Sequence, residues 1–304
     1  MAYDKYLEWQ AVSKIKETRS AFTYKFEPVS NSQKFDTSIG QFVMLGSDLK
    51  RPSKSGEQVR DFVQRAYSIA SSPLRENIEI TIKDEKPYGY INPSSGMADG
   101  FAAYFLEQIE IGDVVKIRPD TRKDHFMSKI AEGKEKDIAY WSGSNGAESA
   151  RSLIQYLEDI KDTEYKLILF YSNPNLYMDE EINVIYYKWL LEKADKLNNF
   201  KVVFTFTRDE EVINSNHPRI FYRKGRFFSN IDGTAEKTLS KYHGNTEQCF
   251  NPICGSSAFI NGTVKLPDGK IERRQGIMQQ LINIENIKPE KIDKEQFYLQ
   301  FAGE

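Results

Sequence analysis

The sequence is poor in the residues that build covalent or metal frameworks. Its 304 residues include two cysteines, Cys249 and Cys254, and three histidines, His125, His217 and His243. Two cysteines are too few for a secreted disulfide framework. They are also too few to hold an iron–sulfur cluster alone, which needs four ligands. The histidines lie far apart without metal-ligand spacing, so surface or structural roles are expected for all three and no metal site is predicted. No apolar run approaches the length of a membrane span. The opening MAYDKYLEWQ lacks the basic and then apolar pattern of a signal peptide, so a soluble cytoplasmic protein is expected. Net charge is also small, −2, with Lys and Arg scattered among Asp and Glu. A nucleic-acid partner would need a basic stripe, and none is present.

What is present changes style near residue 133. Before it come short runs rich in Val, Phe and Tyr: AVSKIKETRSAFTYKFEPV, GQFVML at Gly40–Leu45, VQRAYSIAS, IEITIKD and DVVKIRPD. Gly, Pro, Asp or Asn clusters bound them, as they bound strands, and their near-regular spacing suggests a small antiparallel β-barrel. One helical stretch, GFAAYFLEQI, interrupts them. After the charged run EGKEKD at Glu132–Asp137, apolar strands (DIAYWSG, YKLILFYSN, FKVVFTFT, FNPICG) alternate with helical segments (ESARSLIQYLEDI, MDEEINVIYYKWLLEKADKL, RRQGIMQQLINI). That alternation argues for an α/β doubly wound parallel sheet. The expected organisation is a β-barrel domain over 1–133 and an α/β domain over 134–304, with EGKEKD as the linker or, equally, a charged surface turn.

Two stretches carry candidate chemistry. YWSGSNGAESARSLI runs from a strand through Gly143, Ser144 and Gly146 into a helix. Helix N-termini present unpaired N–H groups that bind phosphate, and glycines allow close backbone approach; a glycine-rich turn without a ligand is the plainer reading. Glu148 suits a helix N-terminus electrostatically but would repel a phosphate placed there. The other stretch, RAYSIASSP from Arg65, sets a permanent cation, a phenol and several hydroxyls into an otherwise apolar strand.

In their order, GQFVML, RAYSIAS, a Gly-led helix, SGSNG, FTFTRDE and CGSSAFI resemble the ferredoxin–NADP reductase superfamily over nearly the whole chain. The resemblance implies FAD in the barrel domain, NADP or NAD in the α/β domain, and hydride transfer from nicotinamide to flavin. It implies that Arg65, within Arg65-Ala66-Tyr67-Ser68, pairs with the flavin pyrophosphate. Tyr67 would pack along the isoalloxazine and Ser68 would hydrogen-bond near its reactive nitrogen; a surface Arg65 and a core Tyr67 are the plainer alternative. A guanidinium forks onto phosphate oxygens, and a phenol offers a flat apolar surface with one polar tip. The second flavin signature reads Gly100-Phe101-Ala102-Ala103, with its hydroxyl missing at Ala103. Lys83 adds charge near the phosphates or is simply solvated.

On the nucleotide side the resemblance assigns Gly143, Ser144, Gly146, Thr207, Arg208, Arg226, Cys254 and Gly255. It makes Tyr67, Ser68 and Cys254 the residues closest to the chemistry, and offers Phe297 or Tyr298 to cover the flavin. Glu148 and Ser149 replace the family's usual Thr or Ala and Pro. Arg208, Arg226 and Lys224 favour NADP; Asp179, Glu180 and Glu181 weigh against it or begin a helix. The implied activity is NAD(P)H:acceptor oxidoreduction with a separate partner such as ferredoxin or flavodoxin. A free-flavin or ferric-chelate reductase, and a non-enzymatic flavin-binding subunit or redox sensor, are the alternatives.

Overall fold

A computed structural model of the chain describes residues 6–52, 57–84, 101–119, 126–209, 215–229, 234–244, 246–265 and 270–297. The first six strands are β1 (Leu7–Lys16), β2 (Ala21–Pro28), β3 (Phe42–Pro52), β4 (Gln58–Ser68), β5 (Ile78–Lys83) and β6 (Val114–Pro119), with helix α1 (Phe101–Gln108) before β6. They form one antiparallel sheet in the order β4-β3-β6-β1-β2-β5, a six-stranded half-barrel. Period-two patterning explains which face turns inward. In β5, Ile78, Ile80 and Ile82 are buried, and they meet Trp9, Tyr24, Phe26, Val43, Leu45, Val115 and Ile117 in one core. Helix α1 adds Phe105 to that core, followed by Ile109. The carbonyls that a helix C-terminus leaves without partners are met by Lys14, whose Nζ donates to Leu106 O at 3.1 Å and Ile109 O at 3.2 Å.

The rest of the chain starts with α2 (Ser128–Ala131), β7 (Asp137–Gly143), α3 (Ala147–Ile160) and β8 (Lys166–Asn173). A two-stranded ribbon, β9 (Tyr177–Met178) with β10 (Glu181–Ile182), leads to α4 (Tyr187–Lys196), β11 (Phe200–Phe206), β12 (Ile220–Lys224) and α5 (Thr238–His243). The chain continues through β13 (Asn251–Ser256), α6 (Ser257–Asn261), the ribbon β14 (Thr263–Lys265) with β15 (Ile271–Arg273), α7 (Ile277–Asn283) and β16 (Ile292–Phe297). Six of these strands form a parallel sheet in the order β12-β11-β8-β7-β13-β16. Residues 167–171 of β8 are all buried, as a strand covered on both faces requires. The order runs outward one way from β7 to β12 and the other way from β13 to β16, so the β7/β13 pair is the topological switch point. Beside it Trp141 stacks on Phe170, 4.0 Å between centroids and 8° between planes, and on Phe228 at 5.0 Å. Its Nε1 donates to Asn251 Oδ1 at 3.1 Å.

Expected helices are shorter than their patterns: RRQGIMQQLINI is helical only over α7, and its Arg273 ends β15. Apolar spacing extends a helix back over MDEEINVIYYKWLLEKADKL, yet α4 begins at Tyr187. Asp179 and Glu180 adopt positive φ, 50° and 67°, which turns the β9–β10 ribbon instead. The acidic triplet therefore begins no helix.

The chain forms two compact units. The first takes in Met1–His125 and also Arg151–Tyr156 of α3; the second takes in Phe126–Ala150 and the chain from Leu157 to Tyr298. Within the first unit, Ser152 Oγ donates to Ser71 O at 2.7 Å, and Ser72 N donates to Gln155 Oε1 at 3.1 Å. Arg151 pairs with Glu79 where both side chains are largely buried. Removing one partner of such a pair leaves a charge without compensation, whereas replacing both by apolar groups is far cheaper. Arg151→Ala is expected to destabilise the fold by about 3 kcal/mol in denaturant titration. Joint replacement with Glu79→Leu and Arg151→Met is expected to recover most of that loss.

Candidate functional site

At the switch point β7 leaves through Gly143 into a single 3₁₀ turn, Ser144–Gly146, and then α3. Ser144 has φ 51°. The glycines here answer first to packing. A Cβ on Gly146 would overlap the backbone carbonyl of Cys254 on β13. Cβ atoms on Gly143 and Gly255 would come within 2.9 and 2.8 Å of the Phe259 ring. The aromatic ring of α6 therefore lies against both glycines, and close approach within the chain accounts for all three positions.

Four elements converge beneath this loop. Ser149 Oγ, in the first turn of α3, donates to Glu295 Oε2 of β16 at 3.1 Å. Cys254 Sγ of β13 donates to the same oxygen at 3.5 Å and lies 3.8 Å from Ser149 Oγ. Tyr140 of β7 donates its hydroxyl to Gly146 O at 3.3 Å. Tyr140, Ser149 and Cys254 are fully buried. Burial raises the Cys254 thiol well above its usual range, and the Glu295 charge adds to this. Cys254 is therefore a neutral thiol and a hydrogen-bond donor rather than a thiolate nucleophile. Burial, and then Glu295, likewise hold the Glu148 carboxyl well above the ordinary carboxylate range.

Further along the same edge, Thr207 and Arg208 follow β11. Their backbone N–H groups donate to Asn173 O at 3.1 Å and Pro174 O at 2.8 Å, which knits the loops after β11 and β8. Thr205 Oγ1 donates to Gly225 O at 2.5 Å and Gly225 N to Phe206 O at 2.9 Å, bringing the turn after β12 alongside. The side chains of Thr207, Arg208 and Arg226 are exposed. Arg274 bonds Glu272 of β15 and is the main reason that carboxylate is held below its usual range, with Arg226 a lesser contributor. Gly143, Ser144, Gly146, Cys254 and Gly255 are thus brought together at the carboxyl ends of β7 and β13, while Thr207, Arg208 and Arg226 stand at the ends of β11 and β12.

In the first unit, alternation along β4 sets Arg65 and Tyr67 on the half-buried face with Val63, and turns Ala66 out to solvent. Ser68 is buried at the strand's end. Tyr67 meets Phe105 of α1 edge-on at 6.1 Å. Arg65 Nη1 donates to Gln64 O at 2.7 Å, and burial lowers its guanidinium from the ordinary range. Lys83 ends β5 half-buried. Phe101, Ala102 and Ala103 open α1. Gly100 and Tyr298 lie outside the described residues, and Phe297 is the last residue of β16.

No protein-family model matches the chain, and no curated protein matches it in sequence. Solved structures match it over most of its length. The flavohem-like FAD/NAD-binding domain of nitric oxide dioxygenase from Vibrio cholerae O1 biovar El Tor aligns with a TM-score of 0.64 at 12% identity, covering 96% of this chain and 98% of that one. Ferredoxin–NADP+ reductase from Plasmodium falciparum aligns at 0.61 and 14% identity, covering 98% of each chain. A ferredoxin–NADP+ reductase from Neisseria gonorrhoeae with bound FAD and NADP aligns at 0.55 and 17% identity, covering 83% of this chain and 86% of that one. The chain has the ferredoxin–NADP reductase fold.

Within that fold, several residues that matter at the switch point were not singled out from sequence. Phe259 sits in the CGSSAFI motif and Glu295 in KEQFYLQF, but nothing local shows that one covers the glycines and the other receives two buried donors. Ser149, expected from the resemblance to replace a proline, bonds Glu295 through a hydroxyl that a proline lacks. Ser71 and Ser72 of RAYSIASSP are structural. Ser71 Oγ donates to Asn77 O and accepts from Glu79 N, and Ser72 bonds Gln155. Burial, and then Glu295, shift Glu148 towards its neutral form, which lessens the repulsion that a carboxylate there would offer a phosphate.

This has a pH signature. A carboxyl raised in the fold keeps a proton that the unfolded chain loses above about 4.5, so its contribution to stability is full below that pH and is lost as pH rises through the folded value. Glu148→Gln removes the dependence. The variant is expected to unfold at a higher temperature than the parent at alkaline pH, with the gap closing as pH falls towards 4.5; thermal melts across that range measure it.

Proposed function

We propose that this protein is an FAD-dependent NAD(P)H:acceptor oxidoreductase of the ferredoxin–NADP reductase type. In this reading it works in the cytoplasm and passes electrons to a separate protein such as ferredoxin or flavodoxin. One observation carries the reading above all: the glycine turn 143–146 and Cys254-Gly255 meet at the carboxyl ends of β7 and β13, the place where open α/β sheets bind nucleotides. When bound, FAD supplies the hydride and single-electron chemistry that side chains lack.

The residues fit the flavin. Arg65 and Tyr67 share one half-buried face of β4, which suits a cation for the pyrophosphate beside a flat ring for the isoalloxazine. Ser68 and Lys83 are the secondary contacts, with the α1 start, Phe101–Ala103, offering backbone N–H groups to phosphate. They fit the nicotinamide nucleotide as well, on one condition: Phe259 must move from Gly143 and Gly255 for a ligand to reach them. Cys254, as a neutral thiol, serves as a polarisable neighbour and not as a nucleophile. Arg208 and Arg226, both exposed, are the cations this reading assigns to a 2′-phosphate, and so to NADPH.

A non-enzymatic flavin-binding subunit is the second reading, and the Phe259 ring over the glycines is the observation that favours it. Purified protein is expected to show flavin absorbance that bleaches anaerobically on adding NADPH, and more slowly with NADH. Yellow protein inert to both nucleotides supports the subunit reading, and colourless protein that neither binds nor turns over FAD rejects both. Arg65→Ala is expected to lose bound FAD during gel filtration at least tenfold more readily than the parent. Equal retention removes Arg65 from the flavin site.

A further inference from the structure

A second cluster lies at the other end of β7. Asp137 is the first residue of that strand, His243 is the last residue of α5, and Cys249 precedes β13. Six residues separate Asp137 from Gly143; at about 3.3 Å per residue they set this cluster roughly 20 Å from the glycine turn. It is therefore a different site from the proposed nucleotide site.

The three side chains converge. His243 Nε2 lies 2.6 Å from Asp137 Oδ1 and 3.7 Å from Cys249 Sγ, and all three atoms fall within 4.8 Å of one another. Asp137 Oδ1 is buried, and His243 is its close ion-pair partner when the imidazole is protonated. The same ring nitrogen faces both the carboxylate and the thiol. A nucleophilic relay would instead use one ring nitrogen for the thiol and the other for the carboxylate. One nitrogen, one oxygen and one sulfur within 4.8 Å of one another match the spacing of a coordination sphere.

We propose that Asp137, His243 and Cys249 bind a divalent cation of the zinc class. Mixed imidazole, thiolate and carboxylate donors suit zinc and other borderline-soft ions rather than magnesium or calcium. Metal–nitrogen and metal–sulfur bonds of about 2.0 and 2.3 Å at a tetrahedral angle put N and S about 3.5 Å apart, close to the 3.7 Å present. The N–O pair, at 2.6 Å, opens by about 0.7 Å on loading to reach the tetrahedral separation. The Asp137 side chain is 29% exposed and that of His243 9%, so the cluster lies close to the surface although Oδ1 itself is buried.

The surroundings are otherwise closed. Cys249 is fully buried in the apolar core of the second unit. The nearby Lys291 ammonium is held by both oxygens of Glu135, at 3.0 and 2.8 Å, so its charge is offset. Binding displaces the thiol proton to solvent, and the ion is then held by Cys249 as thiolate. The clasp ties α5 and the turn after it to the first residue of β7. No sequence spacing announces it, because Asp137 opens the first strand of the sheet and the other two ligands follow four of its strands.

The test uses the full chain after dialysis against a chelator. Titration with Co²⁺ is expected to saturate at one ion per chain with a thiolate-to-cobalt charge-transfer band, and Zn²⁺ is expected to displace it. Cys249→Ser is expected to abolish the band, and His243→Gln and Asp137→Asn to weaken binding at least tenfold. Should Cys249→Ser fail to fold, the two partly exposed ligands decide. Absence of a saturable band in the parent overturns the proposal. So does a band that persists in Cys249→Ser, or unchanged affinity in both His243→Gln and Asp137→Asn.

Discussion

The close contact between the Gly146 turn and the Cys254 backbone is the constraint on which the second unit depends. Adjacent parallel strands normally need side chains between a crossover and its neighbour. Here the absence of a Cβ lets the loop settle on β13, and that settling aligns everything around it. It brings Ser149 within reach of Glu295, sets Tyr140 under the turn, and leaves the Cys254 thiol among donors and acceptors with no solvent. A methyl group at this one position would push α3 away from the switch point and dissolve the arrangement.

Electrostatics follow from that packing. A buried cluster of donors to Glu295 does not readily hold a second negative charge nearby. The neighbours therefore stay neutral: Glu148 as acid, Cys254 as thiol, Tyr140 as phenol, all with titrations raised chiefly by burial. A glycine turn beside a neutral carboxyl is a different environment from one beside a carboxylate. It is the more hospitable to a phosphate.

The architecture was largely legible in the sequence because it rests on periodicity. Alternation in IEITIK and continuous burial in KLILFYSN are local properties, and each fixes its own element. The candidate site was legible only through motif order, since Arg65, Gly143 and Cys254 are distant in the chain and only the strand order brings the last two together. Three features stayed hidden for physical reasons. The acidic turn at Asp179–Glu180 overrides a helical pattern through positive φ, which composition does not encode. Phe259 covers a glycine, Gly143, more than a hundred positions earlier. The Asp137, His243 and Cys249 cluster depends on which strand ends share an edge, and no spacing rule for histidines reaches that far.

The indole of Trp141 stacks in the second core, with its nitrogen bonded to Asn251, while that of Trp9 lies in the first core, where its nitrogen is buried and makes no hydrogen bond. The chain therefore carries one intrinsic fluorophore in each core, in unlike surroundings. With Trp189 and one of these two replaced by phenylalanine, the emission of the other is isolated. The two halves of the molecule would then report separately on their own melting and refolding, without any label being attached.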